Sequence, residues 1–226
     1  MTYALVHGFT QSERSWSAIP LDDAVALRVP DDLDFVATAH ALGDEGGRAT
    51  YVGYSMGGRL CLQLALDRPD VVDDLVLVSA SPGIADDTER AARRTSDAAL
   101  AHEVERDGVD SFLERWLAQP LFASLSRDAA GVEDRRAANT VDRLAHQLTV
   151  LGQGAQPDNW TRLHELAMPV LLVVGSRDAK YVDIAARMEE AMPNARVEII
   201  DGAGHACHLE RPDEFGHVLA SWPETR

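Results

Sequence analysis

Short blocks of apolar residues alternate along the chain with longer stretches whose apolar positions recur every three or four residues. The blocks are Tyr3–Val6, Val25–Val29, Ala49–Val52, Asp74–Ser79, Val170–Val174 and Val197–Ile200. Several are apolar throughout, the pattern of parallel strands covered on both faces. The amphipathic stretches predict helices over roughly Asp32–Leu42, Met56–Leu66, Tyr181–Met192 and Asp213–Ser221. Such strand–helix–strand succession implies an α/β fold, a doubly wound and mostly parallel sheet of about six strands.

One interval breaks the rhythm. From Ser81 to Leu166 there is no strand-like block, only helical patterns over Asp87–Val104, Val109–Leu117 and Arg135–Leu151. The expected organisation is a core made of residues 1–81 and 166–226, with a helical lid, 82–165, inserted over the carboxyl edge of the sheet. Ligands bind at that edge in open α/β sheets.

Four motifs fall at predicted strand ends. Val52-Gly53-Tyr54-Ser55-Met56-Gly57-Gly58 follows a strand and opens a helix, the setting of a Gly-x-Ser-x-Gly nucleophile elbow. The elbow needs a carboxylate and then an imidazole further along the chain. Leu171–Asp178 places Asp178 just beyond one strand, and Asp201-Gly202-Ala203-Gly204-His205 places His205 beyond the next. The expected site is a Ser55–His205–Asp178 triad on an α/β-hydrolase fold, the carboxylate orienting the imidazole and the imidazole taking the serine proton. After the first strand, His7-Gly8-Phe9 supplies an oxyanion-hole loop, so the Phe9 and Met56 amides are the expected donors. His7 itself reads as a brace for that loop. His208 forms a His-x-x-His pair with His205, but no third ligand accompanies it, and neither a metal nor an organic cofactor is expected.

Composition narrows the partners. The 226 residues suffice for one sizeable core, and a formal charge of −16 disfavours nucleic acid and anionic membranes. Lys180 is the only lysine; the other cations are arginine. Cys61 and Cys207 lie far apart without metal-ligand spacing and read as free thiols in a reducing compartment. With no basic leader and no long apolar run, a soluble cytoplasmic protein is expected, as a monomer or small homo-oligomer acting on a small molecule.

Beyond the elbow, the chain resembles one family in particular, the 2-succinyl-6-hydroxy-2,4-cyclohexadiene-1-carboxylate (SHCHC) synthases of the menaquinone pathway. Gly53–Leu60 is similar to that family's elbow, and Pro82-Gly83 with Glu89–Asp97 to its lid entry. Phe112–Trp116 with Pro120–Leu125 resembles its central lid helices, and Gly154–Trp160 the segment that closes the lid. The resemblance implies an α/β-hydrolase-fold lyase that eliminates pyruvate from 2-succinyl-5-enolpyruvyl-6-hydroxy-3-cyclohexene-1-carboxylate, its triad acting as a base. It also implies substrate contacts from Tyr54, Arg93, Trp116 and Arg136, with Arg135 one position from the last. Arg59 joins them because it lies four residues after Ser55, on the serine's side of the elbow helix. Arginine forks suit the anionic substrate, which carries three carboxylates.

The chain departs from that family at its start. The His-Gly-Phe loop comes already at residue 7, and Val29-Pro30-Asp31-Asp32 replaces the usual Gly-His-Gly turn. A sheet trimmed at one edge is expected. Fold and triad alone leave open a carboxylesterase, thioesterase or carbon–carbon hydrolase in which Ser55 is acylated, and a binding module without turnover.

Overall fold

The computed structural model describes residues 2–225. Six strands form one sheet, β1 (Tyr3–Val6), β2 (Ala24–Leu27), β3 (Ala49–Tyr54), β4 (Val72–Val78), β5 (Val170–Gly175) and β6 (Ala195–Ile200), in the order β2-β1-β3-β4-β5-β6. Every neighbouring pair is parallel, so no antiparallel strand is present among the described residues.

The apolar blocks are unbroken because alternate residues feed two cores. On one face Ala4, Val6, Tyr51, Leu75, Leu77, Leu172 and Val174 pack with α1 (Phe35–Gly46), α2 (Met56–Asp67) and α6 (Ala179–Ala191). On the other, Tyr3, Leu5, Val52, Tyr54, Val76, Val78 and Val173 meet Trp16, Ile19 and α8 (Pro212–Thr225). A period of two, buried on both sides, yields a strand without polar positions.

Between β4 and β5 run α3 (Asp87–Leu117), α4 (Val132–Ala138) and α5 (Val141–Thr149). α3 joins the two helices expected there, with a break at Gly108, whose φ of 78° suits a residue without Cβ. The single helix expected over Arg135–Leu151 is instead two. Asn139 leaves the helix, and the Thr140 hydroxyl caps α5 by accepting the Arg143 N–H. α3 and α5 share a small core of Ala101, Val104, Phe112, Leu144 and Leu148, and Phe9 of the β1 loop packs against it. That contact ties the helical segment to the sheet edge. None of the described helices is long and apolar enough to cross a membrane.

Two buried histidines complete the core. His7 Nδ1–H donates to the Gly8 carbonyl at 2.9 Å, and its Nε2 accepts the Val29 N–H at 3.4 Å, so it bridges the ends of β1 and β2 as a neutral ring. His208, in the short α7 (Cys207–Glu210), lies against Tyr54 and Trp16 with no hydrogen-bond partner on either nitrogen. Burial lowers His7 to about 4 and His208 to about 3. Below pH 6.5 the unfolded chain binds protons that these folded rings refuse, so stability is full above that pH and falls on acidification. Between pH 7 and 5 each ring accounts for about 2 kcal/mol of that loss. A His208→Phe variant, which keeps the ring and removes the unpartnered nitrogens, is expected to match the parent at pH 7 and to lose less stability by pH 5. Urea unfolding at the two pH values measures both; an unchanged pH dependence would contradict the assignment.

Candidate active site

The loops leaving β1, β3, β5 and β6 meet at the carboxyl edge, with β4 between the serine and aspartate strands. Ser55 sits in the turn from β3 to α2 with φ 49° and ψ −104°, a strained conformation for a residue with a side chain. Its N–H donates to the Val78 carbonyl at 2.8 Å. A Cβ on Gly53 would lie 2.5 Å from the Gly57 carbonyl oxygen, and one on Gly57 would lie 2.2 Å from that of Val6. The two glycines therefore let the elbow close against its own helix and against β1.

The base and its partner are joined by a second close approach. A Cβ on Gly175 would lie 2.2 Å from the Gly204 carbonyl oxygen, and the Arg177 N–H donates to the Ala203 carbonyl across the same gap. His205 Nδ1 is 2.7 Å from Asp178 Oδ2, and its Nε2 is 3.1 Å from Ser55 Oγ. Asp178 occupies the N-cap position of α6 but makes no capping bond; its carboxylate serves the imidazole instead. An ionised carboxylate can only accept, so Nδ1 carries the proton and Nε2 is left to accept from the serine hydroxyl. Glu210, which the sequence reading missed, receives the N–H groups on both sides of His205, from Gly204 at 2.8 Å and Ala206 at 3.2 Å. Its position in the short helix after the histidine loop was the only signal available.

Above the triad lies a cavity of about 260 Å³. Of the expected residues, Phe9, Tyr54, Ser55, Met56, Arg59, Arg93, Trp116 and His205 line it, with Asp178 behind His205. The Tyr54 ring covers Gly8, where a Cβ would approach it to 2.5 Å, so the glycine before Phe9 is a packing requirement. Met56 is the first residue of α2, and helix geometry leaves its N–H without an acceptor. Among the described residues no backbone carbonyl accepts from the Phe9 N–H. Phe9 and Met56 both border the cavity that Ser55 lines, next to the N-terminus of α2.

The cavity's polar groups are short of partners. Arg59 is 6% exposed, its Nη1 is buried without an acceptor, and burial lowers its guanidinium to about 10, still a cation at neutral pH. Trp116 Nε1 and both ends of the Gln147 amide are likewise buried and unpartnered. Arg93 is held by Asp97 at 2.7 Å and by Gln153 at 2.9 Å, and Gln153 in turn donates to the Tyr181 hydroxyl. Gln147, Gln153, Lys180 and Tyr181 line the cavity and were not foreseen; each lies outside the motifs, Gln147, Lys180 and Tyr181 on helices and Gln153 in the turn after α5, and their facing depends on tertiary packing.

Arg136 does not reach this site. Its guanidinium is bound to Asp110 at 2.5 Å and to Glu133 at 2.7 Å on the outer surface of α4. One residue of helix is about 100° of rotation, and Arg135 takes the inward direction. Arg135 is buried, but it bonds Thr10 Oγ1 and the Ala130 carbonyl and does not line the cavity. The described residues hold no cluster of three or more metal-ligating side chains.

Serine hydroxyl, imidazole and carboxylate, aligned above the carboxyl ends of a parallel sheet, define the site of a serine-type α/β-hydrolase fold. The chain belongs to the alpha/beta hydrolase family, whose sequence pattern matches residues 4–218. A Bacillus subtilis (strain 168) protein, named provisionally as a 2-succinyl-6-hydroxy-2,4-cyclohexadiene-1-carboxylate synthase, is 33% identical over 96% of this chain and 88% of its own. The Serratia proteamaculans (strain 568) protein of that name is 30% identical over 92% of this chain and 83% of its own. The structure of MenH from S. aureus superposes with a TM-score of 0.92 at 27% identity, covering 100% of this chain and 94% of that one. A thermophilic esterase from Thermogutta terrifontis, at 20% identity and a TM-score of 0.80 over 100% of this chain and 90% of that one, shares the fold.

Gly57→Ala is expected to collapse the elbow, because the new methyl meets two main-chain oxygens and neither can move without shifting β1. A thermal unfolding scan should show a loss of about 3 kcal/mol or more, or no folded protein. Arg136→Ala, by contrast, should leave turnover within about twofold of the parent, since it removes only exposed ion pairs.

Proposed function

We propose that the protein is an SHCHC synthase, a carbon–oxygen lyase that eliminates pyruvate from 2-succinyl-5-enolpyruvyl-6-hydroxy-3-cyclohexene-1-carboxylate. The observation that carries this reading is the set of unmet donors over the triad: Arg59 Nη1, Trp116 Nε1 and the Gln147 amide. Buried donors without acceptors are costly, and a ligand rich in carboxylate and carbonyl oxygens meets that need. A simple apolar ester would leave them unsatisfied. The relatives named above carry this activity in their names, and they cover most of the chain.

In the proposed reaction the triad works as a base. His205 takes the Ser55 proton while Asp178 holds the ring and stabilises the imidazolium. The serine oxygen then removes the proton from the ring carbon next to the succinyl ketone. The C–H bonding pair enters an enolate, whose oxygen lies between the Phe9 and Met56 amides, each worth about 3 kcal/mol by analogy with other oxyanion donors. As the ketone re-forms, the pair moves through the ring double bond, and the carbon–oxygen bond to the enolpyruvyl group breaks. The enolate of pyruvate leaves and is protonated to pyruvate, and the triad returns to its starting state. Tyr54, Arg93 and Trp116 complete the wall around the ring, and residues 82–165 serve as the lid that excludes water.

Supplying the enolpyruvyl substrate and following pyruvate release tests this directly. The parent protein should release pyruvate in step with substrate loss. Ser55→Ala should fall by at least about 10³-fold, and Arg59→Ala should raise KM more than it lowers kcat. No pyruvate from the parent, together with acyl-enzyme formation on activated esters, would move the protein to the serine hydrolases.

A further inference from the structure

Lys180 projects from the first turn of α6 and lines the same cavity as Ser55, Arg59 and Arg93. It is the only lysine in a chain whose other cationic side chains are all arginine. Three cations line the cavity, and they differ in how far they are committed. Arg93 is held by Asp97 and Gln153. Arg59 is buried at the elbow helix with one nitrogen unpartnered. Lys180 is exposed, pairs with no carboxylate among the described residues, and has its ammonium 5.7 Å from the centre of the Tyr181 ring. The two less committed charges therefore differ in exposure, Arg59 buried on the elbow helix and Lys180 open to solvent.

The arginine expected as the third carboxylate partner, Arg136, is spent on Asp110 and Glu133 outside the cavity. On a protein of formal charge −16, a polyanion entering this cavity needs a local cation at its mouth. An ammonium suits that place. It is a point charge on a flexible stem and binds a carboxylate without the fixed fork geometry of a guanidinium.

We propose that Lys180 is a specificity-determining residue: its ammonium binds one substrate carboxylate at the cavity mouth, while Arg59 binds another at the elbow helix. This deepens the lyase reading and rests on it. Lys180 does not touch the reacting atoms, so it acts on substrate binding and not on the proton transfer.

The test has two arms. In the first, pyruvate release is measured for the parent, Lys180→Met and Lys180→Arg. Losing a charge-assisted contact should raise KM by about tenfold or more with kcat within about threefold, and arginine should recover most of the loss. An unchanged KM in Lys180→Met overturns the proposal. The second arm needs no turnover: acetylation of the single lysine is followed by peptide mass mapping, with tricarballylate as the tricarboxylate probe. Protection by about fivefold or more, abolished in Arg59→Ala, supports a polycarboxylate spanning the two cations; no protection overturns it. If the parent releases no pyruvate the lyase reading fails by itself, and the acetylation arm still decides the role of Lys180.

Discussion

The contact between His205 and Asp178 is the constraint on which the rest of the site depends. The 2.7 Å bond from Nδ1 to the carboxylate sets the tautomer, and the tautomer decides whether Nε2 can accept a proton from Ser55. Neither residue reaches the other through its own element. Asp178 gives up the capping role that its place before α6 invites, and His205 is held in its loop by Glu210, which binds the amides on both sides of it. The close approach at Gly175 joins the two loops, and the one at Gly57 brings the serine to them. The glycines and the relay are thus parts of one device, with main chain packed to contact so that three side chains from distant strands meet.

The same sheet edge explains why a single scaffold serves different chemistries. In the proposed reaction the relay delivers a deprotonated serine oxygen beside the Phe9 and Met56 amides, and what happens next depends on what the cavity holds. Here the helical segment adds Arg93, Trp116, Gln147 and Gln153, a polar wall above an apolar sheet. An ester carbonyl placed there would be attacked. A ketone with an acidic neighbouring C–H and a leaving group in conjugation loses a proton instead. The helical segment supplies much of the cavity's polar wall, and it is where the likeness to the SHCHC synthases was most detailed.

Much of this was legible in the sequence, for physical reasons. Strands buried on both faces must be apolar at every position, so the core strands stood out, whereas β6, with Arg196 and Ile199 exposed, was marked less clearly. Ser55, Asp178 and His205 were legible because each follows a strand and each turn needs small residues. Arg59 was legible because four residues return a helix to the same side. The losses lie where register within the helical segment decides the outcome. Arg135 and Arg136 differ by one position, and only packing against Thr10 selects which one turns inward. The break at Asn139 arises because its amide bonds the Thr10 carbonyl, a contact across 129 positions that no local pattern announces. Lys180 and Gln147 carry no motif, and their facing follows from how α5 packs on α3 and α6 on the sheet.

The central claim is that the imidazole of residue 205 is locked between a carboxylate and a hydroxyl. Proton NMR of the resting protein reads that lock directly, through the exchange-protected imidazole proton shared with Asp178. A strongly deshielded resonance that persists in Ser55→Ala and vanishes in both Asp178→Asn and His205→Asn is the predicted result. Its absence from the parent, or its survival in Asp178→Asn, would contradict the account.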